Sequence, residues 1–177
     1  MSCNNELTTG IALDCFSQVG GVEVAYVASF SGSIGGLTPA SDSSTIALTS
    51  LTLDGTTVTD FATDFETFEC ERQTGVVTET GTFGGESNGT AFYTQVASTV
   101  FNKLASAKQE TLKTLGKNKL CVIVKDNNGK YWLIGNDSGA TVSNSTGTTG
   151  TAFGDANQLT IEFTGISLYP MYEVTVA

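Results

Sequence analysis

Twelve residues, "DFATDFETFECE", hold the densest set of groups in this chain that could do chemistry: Asp60, Asp64, Glu66, Glu69 and Glu71. Two carboxylates held at a fixed separation can run a glycosidase-like hydrolysis, one donating a proton while the other attacks or activates water. Several converging on one point can hold calcium. Spacing along a strand shows only that some of them share a face, and acidic runs are mostly solvated surface. The Asp-x-Asp-x-Asp-Gly pattern of a calcium loop is absent. The chain also has no histidine, the side chain on which acid–base work near neutrality usually leans. The run reads as a wet acidic face.

Other candidate groups fare no better. "GSIGG" and "GTTGTAFGD" lack the Gly-Lys-Ser/Thr ending of a phosphate loop, and neither opens a helix. No serine is read as the nucleophile of a Gly-x-Ser-x-Gly elbow. Cys3, Cys15, Cys70 and Cys121 form no Cys-x-x-Cys pair, so zinc would need all four to converge without a histidine. Cys70 and Cys121 sit in strand-like runs and read as buried hydrophobes. Trp132 could be a sugar platform but lies within an apolar hairpin and reads as core. Asn88, Asn136 and Asn144 head Asn-x-Ser/Thr triplets and read as turn chemistry. No catalytic residue, cofactor-binding residue or metal ligand is assigned, and no cofactor is implied. The chain is read as a non-enzyme.

The elements around these groups are mostly strands. In "KLCVIVKDNNGKYWLIG", Lys119 to Gly135, two apolar runs flank Asp126-Asn127-Asn128-Gly129. An Asn-Gly pair between such runs is a strong hairpin signal, and near-continuous apolar character predicts a central hairpin covered on both faces. "VEVAYVASF" predicts a first strand with Val22, Val24 and Tyr26 on one side. "GSIGGLTPASDSS" reads as a loop. In "TIALTSLTLDGTTVTDF", Ile46 and Leu48, then Leu51 and Leu53, alternate, and Asp54-Gly55 marks a turn. Phe61 to Arg72 reads as a strand with one break of phase, a bulge. Val76 to Phe101 reads as a long, low-charge antiparallel hairpin with "GGESNG" at its tip. Ser106 and Gln109 have capping-box spacing ahead of a helix over 106–115 that packs through Leu104, Leu112 and Leu115 and ends at Gly116. "NDSGATVSNSTGTTGTAFGDANQ" reads as a flexible tract, followed by strands "LTIEFTG" and "YEVTV". The fold class is mainly β, an antiparallel sandwich or barrel with one flanking helix, in a single domain over 1–177.

Length and charge sharpen this. A 177-residue chain buries roughly 70% of its unfolded surface without help from disulfides or metals. "MSCNNELTTG" has neither a basic segment nor an apolar core, so no secretory signal is expected, and no run is long enough to span a membrane. The net charge is −10. Residues 1–71 carry ten acids and no lysine or arginine. Lys103 to Lys130 holds seven of the eight basic residues against Glu110 and Asp126, a local net of +5. Either this is a solvated lysine-rich helix, or opposite patches meet between copies. A chain this acidic is a poor general binder of nucleic acid. The hairpin over Val76 to Phe101, if exposed, invites pairing with another chain. Structural self-association is therefore favoured over catalysis.

The order of segments resembles phage tail-tube and related ring proteins from viruses of Bacteroidetes-type bacteria. The resemblance covers most of the chain and is carried by "TGIALDCFSQVGGVEVAYVASF", "GTAFYTQVASTVFNKL", "GKNKLCVIVKDNNGKYWLIG" and "GTAFGDANQLTIEFTG". "VKDNNGKYWLIG" and "GTAFGD" are the more specific strings. The ending "ISLYPMYEVTVA" is looser than the family's usual one. The resemblance implies a β-sandwich or barrel with a flanking helix that closes into a ring, commonly of six copies. A long hairpin from each copy, here Val76 to Phe101, builds a continuous inner barrel, and the rings stack into a tube through which DNA passes without specific binding. It further implies contacts with other tail or connector proteins, a sheath in tails that have one, and no membrane. The expected location is the virion, after assembly in the bacterial host cytoplasm. Two alternatives stand beside it: a ring or adaptor protein of a short-tailed phage, and a capsid-decorating β-sandwich, the last extending to carbohydrate binding.

Overall fold

Leu120 to Val124 set the plan of the fold, because five consecutive apolar side chains on a strand point alternately to both faces and neither face can be left wet. The structure is a computed structural model and describes residues 19–37, 45–71, 74–84, 89–136 and 138–176. Its strands are β1 (Val22–Phe30), β2 (Ile34–Gly35), β3 (Thr45–Ala47), β4 (Thr52–Leu53), β5 (Thr56–Thr57), β6 (Glu66–Glu69), β7 (Val76–Phe83), β8 (Ala91–Asn102), β9 (Lys119–Asp126), β10 (Tyr131–Ile134), β11 (Ala140–Thr148), β12 (Gln158–Ser167) and β13 (Tyr172–Thr175). Among the described residues two helices, α1 (Phe61–Asp64) and α2 (Ser106–Leu115), accompany them with a 3-10 turn at Leu48–Ser50. The chain is mainly β.

β9 is central. One edge pairs with β1 along its length; the other pairs with β10 and, at Leu120, with Ala140 of β11. β12 lies between β11 and β8, and β6 lies on the far side of β1. Glu71 N–H, just past β6, donates to Val100 O of β8 at 2.8 Å and so nearly closes a barrel in the order β6, β1, β9, β11, β12, β8. Inside it lie Val27, Leu120, Val122, Val124, Ile161 and Phe163. Cys121 and Ile123 point the other way into a second core with Phe30, Leu51, Val58 and Leu133, roofed by β2, β4, β5 and α1. The expected double burial of the hairpin is what the structure has. Its turn is carried by Gly129 alone, at φ 80°, with Asp126 Oδ1 accepting from Asn128 and Lys130 N–H.

α2 occupies the expected residues and packs through Leu104, Leu112 and Leu115. Its expected capping box is corrected: Ala105 is the N-cap, no side chain caps it, and Ser106 already lies in the first turn. Gly116 ends the helix at φ −66° rather than in the left-handed form, and the turn tightens through Lys117 N–H to Thr114 O. Four further expectations change. The phase break after Phe61 is not a bulge but α1, one helical turn capped by Asp60, whose carboxylate accepts from Thr63 N–H at 2.7 Å. Phe61 stacks between Tyr26 and Tyr131, at 4.1 and 5.1 Å between ring centroids, which anchors that turn. In β1 an irregularity between Val22 and Val24 shifts the phase, so Ala25 and Val27, not Val24 and Tyr26, share the barrel interior with Val22. The tract after Asn136 is not flexible throughout: residues 140–148 form β11, a nine-residue strand. Finally, β13 runs parallel to β3, so the main sheet is mixed.

Candidate assembly surface

β7, β8, β12 and β11 form a four-stranded antiparallel run in that order, and its two outer edges differ from every other long edge of the fold. Gly84 N–H donates to Thr90 O, so β7 residues of even number bond to β8. Val77, Glu79, Gly81 and Phe83 therefore turn their backbone N–H and C=O groups away from it. Lys103 N–H donates to Asn157 O, which by the same alternation directs Asn144, Thr146 and Thr148 of β11 toward β12. Ser145 and Gly147 face outward. Among the described residues nothing pairs with β7 on that side, and β11 meets β9 only at Ala140. Among the described residues, two edges of one sheet are left open, one at each side.

The faces of this sheet differ sharply. Its inner face, through Ala97, Phe101, Leu159, Ile161 and Phe163, packs the barrel interior. Across the register its outer rows read Thr82 beside Phe92; Thr80 beside Thr94 and Ile166; Thr78 beside Val96, Thr164 and Thr141; Val76 beside Ser98, Glu162 and Asn144. Val100 with Thr160 and Thr146, then Asn102 with Gln158 and Thr148, complete it. Glu162 is the one charged side chain in these rows, and no lysine or arginine occurs in them. Gly81 leaves space that Phe83 and Tyr93 fill edge-to-face at 5.8 Å between centroids, stiffening the hairpin end.

The cations lie elsewhere. Lys125 and Lys130 are held by Glu23 and Glu173, at 2.6 and 3.0 Å. Lys103, Lys108, Lys113, Lys117 and Lys119 surround α2 at one end of the barrel, and none joins an ion pair among the described residues.

The acidic run does not assemble into a site. Asp60 caps α1, and Asp64 accepts from Thr59 N–H and its hydroxyl, which holds its carboxyl below the ordinary value. Glu66 and Glu69 are exposed at opposite ends of β6, and Glu71 accepts from the Asn102 side chain. No group of metal-ligating side chains occurs among the described residues. Burial pushes the Cys121 thiol up to about 12 and the half-buried Cys70 to about 11, so both stay protonated. Cys3, Cys15, Pro39, Arg72 and Asn88 lie outside the described residues, as does part of the tip read as "GGESNG". Gly85 to Gly89 spell "GESNG", the letters of a Gly-x-Ser-x-Gly elbow, and residues 85–88 of it lie outside the described residues. Trp132 is corrected from core to half-buried, its indole N–H donating to Asp126 at 3.1 Å. Asn136 sits in a turn, but it is buried and donates to the Tyr169 and Pro170 carbonyls, a tie across the fold rather than a bond within the turn, while Asn144 lies in β11 instead of a turn. No family model, curated protein or solved structure matches the chain. No helix among the described residues is long and apolar enough to cross a membrane.

Proposed function

We propose that this chain is a structural virion subunit, a tail-tube protein whose copies close into stacked rings around a DNA conduit. The observation that carries the reading is the four-stranded sheet with both edges open. β7 of one copy joins β11 of the next, a heterologous contact that closes when its rotation divides a full turn. Closure satisfies the outward backbone groups of both edges and removes the hazard they pose. With about six copies, four strands each, at strand spacing near 4.8 Å and a tilt near 40°, the barrel is roughly 48 Å across its backbone, room for a duplex.

The outer face then lines the lumen. Threonine hydroxyls keep it wet, and the scarcity of charge, with no cation, denies phosphates an anchor, so DNA slides without sticking. The body of the subunit, with the α2 lysines, lies outside that channel and is available to neighbouring rings, connector proteins or a sheath. In this reading the protein acts by shape and catalyses nothing, and it resides in the virion after assembly in host cytoplasm. Negative-stain microscopy of the purified chain tests it: rings or tubes are expected, and a monomer that persists at every salt and concentration contradicts it.

A further inference from the structure

The loop between β11 and β12 holds an aromatic side chain where none should stay wet. Phe153 is fully exposed, 114% of its reference area. The loop that carries it is braced. Asp155 accepts from Thr151 and Ala152 N–H, both at 2.7 Å, its own N–H returns to Ala152 O, and Gly150 takes φ 73°. Those bonds hold the Asp155 carboxyl below its ordinary value, so the brace is ionised and intact at neutral pH. A ring on a rigid loop costs little entropy to bury, which is the property of a docking knob.

The far end of the same strand supplies a place for it. β12 ends at Ser167, and there Ile166 and Leu168, which share the outer face of the sheet, are 57% and 65% exposed. By continuation of the register, Leu168 follows beside Phe92. The patch and Phe153 are thus separated by the length of a ten-residue strand, about 33 Å. A chain that stacks head to tail needs two different, mutually complementary surfaces at opposite ends of one direction. This sheet has an apolar knob at one end of its strands and an apolar seat at the other.

We propose that Phe153 of each subunit seats against Ile166 and Leu168 of a subunit in the adjoining ring, and that this contact turns single rings into a tube. The inference rests on the ring reading above and adds its axial contact. Ring closure uses strand edges; stacking uses strand ends. The two are separable by mutation.

The test compares wild type, Phe153→Ser and Leu168→Ser by negative-stain microscopy and sedimentation at matched concentration and salt. Both positions are exposed, so thermal melting of the variants matches wild type. Wild type is expected to form tubes, and each variant to lose them while keeping discrete rings of unchanged diameter. Tubes of wild-type length from Phe153→Ser overturn the contact and leave the ring reading standing, as do wild-type rings that never stack. A wild-type chain that forms no rings overturns both.

Discussion

Two hairpins in this chain each open on an eight-residue strand and end in opposite states. β9–β10 is saturated: β9 has partners at both edges, apolar cores on both faces, and no exposure from Leu120 to Val124. β7–β8 is half-finished: β8 is paired on both sides, while β7 is exposed along most of its length and, among the described residues, bonded on one side alone. The first hairpin is folded by its own chain. The second has the length and regularity of a core element but leaves a full row of backbone groups for something else to meet. A regular edge of this kind is a template on which another strand can pair.

The comparison can be broken at either hairpin. The largest effect belongs to the saturated one. Ile123→Ala empties a site with no solvent access, and denaturant unfolding should report a loss of about 3–4 kcal/mol. Assembly should fall only as far as the folded population does. At the open edges a matched pair of prolines separates folding from association. Ser145→Pro removes an N–H that faces away from β12, so stability should change by under about 1 kcal/mol while rings disappear. Thr146→Pro removes one that bonds to β12 and should cost roughly 2–3 kcal/mol of stability itself. Rings from Ser145→Pro with normal yield would show that the β11 edge is not the joint. The smallest structural effect comes from the sheet face. Thr78→Lys should leave melting within about 0.5 kcal/mol of wild type, yet assembled particles should begin to retain duplex DNA at low salt and release it as salt rises. Equal retention by wild type would contradict the cation-free channel.

Much of the saturated region is readable in residues alone. Leu120 to Val124 is apolar at every position, Asp126 to Gly129 is turn chemistry, and Leu104, Leu112 and Leu115 mark where a helix must lie. The open region is readable by halves. Val76 to Phe101 announces a hairpin through its threonines, valines and a polar tip, but β11, the other edge of the same sheet, does not. "ATVSNSTGT" has the composition of a loop, and only its full ladder against β12 makes it a strand. A sheet face that contacts water, or a channel, carries no hydrophobic alternation to betray it. The same limit hid α1: four residues are too few for a helical period to show, and Asp60 and Asp64 looked like part of a charge run when they are caps. Phe153, set among glycines and threonines, gave no sign that it would stand clear of the fold.

The most direct test of the edge-to-edge account is a cryo-electron microscopy reconstruction of the assembled protein. It should show β7 of each subunit hydrogen-bonded to β11 of the next, with Thr78, Thr80 and Thr164 lining the channel. Subunits joined through other surfaces, or with that threonine face turned to the outside, would contradict it.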